Sequence, residues 1–361
     1  MEQSSPGPTE LAVGDTNAVG LMLGLLGDEW TLLVVQQALL GATRFAEFKS
    51  RLPISNSVLT RRLQSLTRDG LLDRRVYQTN PTRSEYLVTP RSRSLWPVLL
   101  SIWDWERHWV PDHAERLPGM RHVACGADFA PLLTCRSCGE RASDKDVVAQ
   151  WGPSGSWPRS MPVAATRRRS EADQRDASAG LFPQTMSVLG NRWGCALLVA
   201  AFVGVSRFTD FQSQLGAPPG SIADRLTIFT GNGVLVASEN RYRLTEKGLA
   251  LFDVLVAALQ WAQRWFRAPE GPAVILTHTR CGTRRESSCA KRPACSCAES
   301  GWPALPFGAA TKADKARPSR NSTSTLAAVE SALLAASTCG SRAIVMRSSS
   351  PWSRGSPSPA S

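Results

Sequence analysis

Residues 43–89 read TRFAEFKSRLPISNSVLTRRLQSLTRDGLLDRRVYQTNPTRSEYLVT. Thr43 can cap a short helix with Phe45, Phe48 and Leu52 inward, and Pro53 breaks it. Ser55 or Ser57 then starts a second helix, in which Val58, Leu59, Leu63 and Leu66 face the core. Past Gly70, the segments Leu71–Tyr77 and Ser84–Val88 are rich in β-formers and are separated by Gln78-Thr79-Asn80-Pro81-Thr82-Arg83, which predicts a hairpin. Working outward, Asp15 or Thr16 caps a helix carrying Val19, Met22, Leu25 and Leu26, and an apolar helix follows from about Glu29 to Leu40 before Gly41 stops it. On the other side Thr89 caps, Pro90 takes the first helical position, and Leu95, Val98, Leu99, Ile102, Trp105 and Trp109 line a long final helix.

The same pattern occurs twice. Gly27-Asp28-Glu29-Trp30 returns as Gly190-Asn191-Arg192-Trp193, and Arg44-Phe45, Phe48 and Leu52 return as Arg207-Phe208, Phe211 and Leu215, at a constant offset of 163. The offset shortens to 156 for Tyr86, Thr89, Trp105 and Trp109 against Tyr242, Thr245, Trp261 and Trp265, so one seven-residue deletion separates the copies. The fold class is therefore mainly α with small β-hairpins (α+β), as two winged-helix domains in tandem, each followed by a Cys/His segment. We divide the 361 residues into a disordered N-terminus (1–14), a first winged-helix domain (15–120) and a knuckle segment (121–148). A linker (149–180), a degenerate second winged-helix domain (181–270), a vestigial knuckle (271–297) and a disordered basic tail (298–361) complete it.

In a winged helix the second helix of the pair enters the major groove of duplex DNA and the hairpin reaches a neighbouring phosphate or groove. Asn56, Ser57, Thr60, Arg61 and Gln64 fall on or near the face left polar by the apolar stripe, with Arg62 closer to the phosphate track. Arg44 and the hairpin residues Arg74, Arg75, Thr79 and Arg83 complete the candidate set of phosphate and base contacts. Arg44 to Arg93 holds eleven basic and four acidic residues, on a chain whose net charge is +12, which places polyanions first among partners. Any single arginine here is as readily a solvated one as a contact, and the set carries more weight than its members. Phe45, Phe48 and Tyr86 read as scaffold.

Trp30 in its apolar helix, Arg44-Phe45 with Phe48, Ile54-Ser55, Leu59-Thr60-x-Arg62-Leu63, Leu66, Gly70-Leu71-Leu72, Arg74-Arg75, Tyr77, Pro81, Glu85-Tyr86, Thr89 and Trp105 together resemble the HxlR-type winged-helix transcriptional regulators. The resemblance covers roughly residues 16–110 and, more weakly, 181–267. It implies a bacterial DNA-binding regulator, not an enzyme, typically dimeric through its first and last helices, with the wing flanking the reading helix. The partner expected is double-stranded DNA, with either a homodimer or an intramolecular pseudo-dimer of the two copies. The rival reading is a winged-helix protein–protein interaction module without operator binding.

The copies are unequal. Arg207 to Leu249 holds five basic and four acidic residues, and Ser221, Ala223, Asp224 and Arg225 stand where the first copy has Val58, Thr60, Arg61 and Arg62. Asp224 would repel phosphates, so the first copy is expected to be the main reader.

Beyond the first copy, His122-x-x-Cys125 and Cys135-x-x-Cys138-Gly139 form a ligand set that tetrahedral zinc accepts, which makes structural zinc a candidate cofactor against ordinary reduced thiols. The second copy repeats only His278-x-x-Cys281-Gly282; Lys291 and Ala294 occupy the places of its other pair. Cys195, in an apolar helix, reads as a buried inert thiol. From Gly301 onward Ser, Ala, Arg and Pro dominate and no acidic residue follows Glu330, so this end is either a basic arm or out of frame with an ordered ancestor. No Gly-x-x-x-x-Gly-Lys, Gly-x-Ser-x-Gly or His-Glu-x-x-His occurs, and only four histidines are present, which makes an enzyme improbable. No apolar run reaches about 18–20 residues, so no membrane association and a cytoplasmic location are expected.

Overall fold

The computed structural model describes residues 7–114, 117, 119–122, 128, 130–161, 182–190, 192–282, 284–285, 289–293 and 344–347. They fall into two units, Met1–Glu115 with Leu133–Lys291, and Arg116–Leu132 with Arg292–Ser361. The first unit contains both copies of the repeat.

Strand β1 (Thr9–Glu10) precedes helices α1 (Ala18–Leu26), α2 (Glu29–Leu39), α3 (Phe45–Arg51) and α4 (Asn56–Arg68). The hairpin β2 (Leu72–Thr79) and β3 (Thr82–Val88) leads into α5 (Pro90–Arg93), α6 (Trp96–Trp109) and α7 (Pro111–Ala114). Strands β4 (Gly119–His122), β5 (Pro131–Cys135) and β6 (Val147–Trp151) and the turn of helix α8 (Trp157–Ser160) follow. The second copy runs α9 (Pro183–Leu189), α10 (Arg192–Phe202), α11 (Phe208–Leu215), α12 (Pro219–Gly231), β7 (Leu235–Ser238), β8 (Arg241–Leu244), α13 (Glu246–Leu249) and α14 (Phe252–Trp265). Strands β9 (Phe266–Arg267), β10 (Val274–His278), β11 (Arg284–Arg285), β12 (Cys289–Pro293) and β13 (Ile344–Arg347) close the described chain.

The repeat is exact at the level of elements: α2, α4, α5 and α6 return as α10, α12, α13 and α14 with the offsets of 163 and then 156. So do the bonds that seat each wing. The Tyr86 amide donates to the Thr43 carbonyl and the Tyr242 amide to the Ser206 carbonyl, both at 2.7 Å. The Thr89 hydroxyl donates to the Gly70 carbonyl at 2.8 Å and the Thr245 hydroxyl to the Gly233 carbonyl at 2.6 Å, where Gly70 and Gly233 take the left-handed turn (φ 69° and 68°) that a side chain would resist.

The copies pack on each other through their first and last helices, α1 against α14 and α6 against α9 and α14. The contact is reciprocal. Trp105 Nε1 donates to the Lys247 carbonyl (2.9 Å) and Trp261 Nε1 to the Arg91 carbonyl (3.0 Å), and both pairs are related by the offset of 156. That is the self-complementary geometry of a two-fold interface written within one chain. Glu106 breaks the symmetry: fully buried, it accepts from the Gln184 (3.0 Å) and Thr185 (2.9 Å) amides and the Thr185 hydroxyl, capping α9, whereas Ala262 and Met22 occupy the matching positions.

The structure departs from the sequence reading in several places. The first helix is capped by Asn17, whose Oδ1 accepts from Val19 and Gly20, and whose Nδ2 donates to the Ser154 carbonyl and the Ser160 hydroxyl. Those last partners lie in the expected linker 149–180, whose described part forms β6, by antiparallel pairing with β10, and α8, where Trp157 meets Trp151 edge to face and Ser160 bonds Asn17; residues 162–180 lie outside the described residues. In the expected disordered N-terminus, Thr9 and Glu10 pair in parallel with Phe266 and Arg267. The long final helix is two, α5 and α6, broken at Ser94-Leu95. The first wing has no six-residue loop: its strands continue to Thr79 and Thr82. In the expected disordered tail, Ile344–Arg347 pair antiparallel with Gly119–His122; the rest of 298–361 lies outside the described residues.

Candidate nucleic-acid interface and Cys/His cluster

Helix α4 is held by Leu59, Leu63 and Leu66, each at most 1% exposed and each contributing about 2 kcal/mol by burial. The Ser55 hydroxyl caps it by accepting from the Val58 amide at 3.3 Å. The opposite side carries Asn56, Thr60 and Gln64, and Ser57 and Arg61, at intervals of four, so each series shares one face, and all five are exposed. Thr60 donates its hydroxyl back to the Asn56 carbonyl at 2.8 Å.

Arg62 departs from expectation. It forms an ion pair with Asp28, the N-cap of α2, with both side chains half-buried or deeper, so it braces α4 against α2 and is not presented to a phosphate. One helical position turns the chain by about 100°, which separates Arg62 from Arg61 although they are neighbours in sequence. Its counterpart Arg225 is also half-buried, and burial draws its pKa down, opposed by the Asp224 charge.

In the wing, Arg74, Arg75, Thr79 and Arg83 are exposed, and Arg74 Nε donates to the Ser84 hydroxyl at 3.0 Å. Arg44, the N-cap of α3, lies over the Tyr77 ring at 4.9 Å, which the sequence reading does not anticipate. The second copy offers less. On α12 the exposed Ala223 and Asp224 stand at the places of Thr60 and Arg61, and its wing strands are four residues each, joined by Glu239 and Asn240 at positive φ. Phe45 and Tyr86 are half-buried and Phe48 fully buried, in scaffold positions; Cys195 is buried, and burial pushes its thiol pKa up.

The Cys/His residues assemble differently from the sequence reading. Cys135 and Cys138 meet His278 and Cys281, and their ligand atoms all lie within 4.8 Å of one another. Cys125 lies outside the described residues, and of His122 only the backbone is described. The second-copy motif is therefore not vestigial but supplies half of the cluster. The signal was present in the sequence, since the first copy's second pair and the second copy's first pair are complementary halves of one Cys₃His set. A search within each copy separately passes over that set.

Among the described residues no single helix is long and apolar enough to cross a membrane. The profile of the HxlR-like helix-turn-helix family matches residues 25–114 and 188–270. Similar proteins include the uncharacterized HTH-type transcriptional regulator Rv3095 of Mycobacterium tuberculosis, 34% identical over 136 residues, which are 38% of this chain and 86% of that protein. Mb3122 of Mycobacterium bovis matches to the same extent. The uncharacterized HTH-type transcriptional regulator YvaP of Bacillus subtilis is 37% identical over 87 residues, 24% of this chain and 81% of its own length.

Proposed function

The chain belongs to the HxlR-like helix-turn-helix family, as a DNA-binding transcriptional regulator with two copies of the domain, and from that premise we propose how it divides the work between them. The first copy reads DNA. Asn56, Ser57, Thr60, Arg61 and Gln64 of α4 meet base edges in the major groove, and Arg44, Arg74, Arg75, Thr79 and Arg83 meet phosphates. The second copy is its intramolecular partner, which presents α1 and α6 with the surface a second subunit would offer. The observation that carries this reading is the α4 face itself: five polar side chains exposed at helical spacing, on a helix whose other side is locked by three buried leucines and the Arg62–Asp28 pair.

The test is selection of bound sequences from random duplex DNA, followed by fluorescence anisotropy at several salt concentrations. Arg61→Glu should weaken binding to the selected duplex by roughly tenfold or more, the scale of one lost base contact. Arg207→Glu, at the second copy's counterpart of Arg44, should weaken it about twofold or less, since Asp224 stands where the first copy has Arg61. Equal losses from correctly folded variants would overturn the division of labour. No duplex binding at any salt would overturn DNA reading altogether.

A further inference from the structure

The two Cys/His turns are built alike. Cys135-x-x-Cys138-Gly139 and His278-x-x-Cys281-Gly282 each end in a left-handed glycine (φ 76° and 64°), whose amide donates back to the carbonyl of the first ligand residue at 2.7 and 2.9 Å. A turn of this shape points two donor side chains the same way, and a Cβ at the glycine would strain it. We propose that Cys135, Cys138, His278 and Cys281 hold one structural zinc ion, which staples the segment following the first copy to the segment following the second.

The spacing fits the ion. Zn–S bonds of about 2.3 Å and Zn–N bonds of about 2.0–2.1 Å place tetrahedral ligands about 3.5–3.8 Å apart. Here Cys135 Sγ is 3.6 Å from Cys281 Sγ, and His278 Nδ1 is 3.5 Å from Cys138 Sγ and 3.3 Å from Cys281 Sγ. His278 is buried, and its Nε2 makes no hydrogen bond among the described residues, so the ring's polar contacts are all on the thiol side. Three soft thiolates and an imidazole select zinc over hard cations such as magnesium or calcium. Four protein ligands leave no open position for water or substrate, which makes the site structural.

The halves are also aligned by contacts that need no ion. Strand β6 pairs antiparallel with β10, with Val147 opposite His278, and the Thr279 amide donates to the Asp146 carbonyl at 2.8 Å. Arg280, inside the second turn, reaches Asp146 at 3.1 Å and Glu140 at 3.5 Å, both just past the first. A 3.6 Å gap between Cys135 and Cys281 is far longer than a disulfide bond of about 2.05 Å, and a disulfide there would give Cys138 and His278 no role.

The count is one ion per chain. The reciprocal set would combine His122 and Cys125 with the second copy's equivalents of Cys135 and Cys138, and those are Lys291 and Ala294. The duplication thus keeps one of two symmetry-related sites.

The full-length chain, purified under reducing conditions, is assayed for zinc by mass spectrometry and then alkylated with and without a chelator. About one zinc per chain is expected, with Cys135, Cys138 and Cys281 protected until the metal is removed and Cys125 reactive throughout. Cys138→Ser and Cys281→Ser should each lose the metal while retaining helical circular dichroism, and Cys125→Ser should keep it. The alkylation pattern is read on the unaltered protein, so it decides the matter even if a variant fails to fold. Protein that neither carries zinc nor takes up added zinc, a Cys135–Cys281 disulfide in its place, or zinc that protects Cys125 and leaves Cys281 open would overturn the proposal.

Discussion

Arg61 and Arg62 are adjacent, identical in type and opposite in setting: one is exposed on the polar face of α4, the other is paired with Asp28 and half-buried. Composition and period give both to the polar side of α4; only the placement of α2 tells them apart. Arg62→Ala should therefore destabilise the first copy, leaving Asp28 without its cation, and should affect DNA affinity only through the fraction folded; thermal melts and anisotropy on one preparation separate the two effects. Glu106 is a second residue whose weight is invisible in the sequence. Glu106→Ala strands two amides and a hydroxyl at the start of α9 and should cost about 3 kcal/mol in chemical denaturation, although alanine is the natural residue at the matching position 262. Glu47 yields a pH prediction. Its carboxylate accepts from the Thr43 amide and then the Arg44 amide, which with the nearby Arg44 and Arg51 charges holds its pKa below the ordinary 4.5 despite the opposing effect of burial. Stability from a lowered carboxylate pKa is complete above the unfolded value and is lost as pH falls through the native one. Glu47→Gln should thus be less stable by about 1 kcal/mol at pH 7, with the gap to wild type closing below about pH 4.

At the scale of elements, the helix-turn-helix and both hairpins are legible because each is written in local chemistry: leucines at helical spacing, Pro53 between helices, Gly70 and Gly233 at the turns before the strands. The misreadings have a common cause. Asn17 caps α1 in place of Asp15 or Thr16 because its side chain also binds Ser154 and Ser160, some 140 residues away. The first wing extends through a stretch that reads as loop because cross-strand pairing carries Gln78 and Arg83, and Thr79 and Thr82, past the point where propensity fades. Its length can be tested against its twin. Replacing residues 76–84 by Glu-Asn imposes the short wing of the second copy, in which Ser238 pairs directly with Arg241. The chimera should fold, bind the selected duplex more weakly, and show a salt dependence shallower by about one unit for each phosphate contact removed. An unchanged slope would leave Thr79 and Arg83, at the wing tip, without a phosphate contact.

For the whole molecule, the duplication and its seven-residue deletion are legible from the spacing of the Trp, Arg-Phe, Tyr and Thr matches alone, and the boundaries of α2, α4, α5 and α6 reproduce both offsets to the residue in α10, α12, α13 and α14. What spacing within one copy does not reveal is exchange between copies. The Cys/His cluster draws two ligands from each, and the tryptophan bonds cross from each copy to the other, because a packed pair satisfies its polar groups wherever the partner surface lies. If only the first copy reads, one chain covers a single half-site, and the sequences selected in vitro should lack an inverted repeat. A palindrome with centres about 34–36 Å apart would instead require two chains on one duplex.

The one-sided cap at Glu106 shows what covalent joining permits. When two identical subunits meet, any change at their contact is introduced twice, so a carboxylate cannot be added on one side without its mirror image appearing on the other. Fusing the genes lifts that constraint: each half acquires its own mutations, and the seam can become a lock with a distinct key. Once such differences accumulate, neither half fits a copy of itself as well as it fits its companion, and the arrangement becomes hard to reverse.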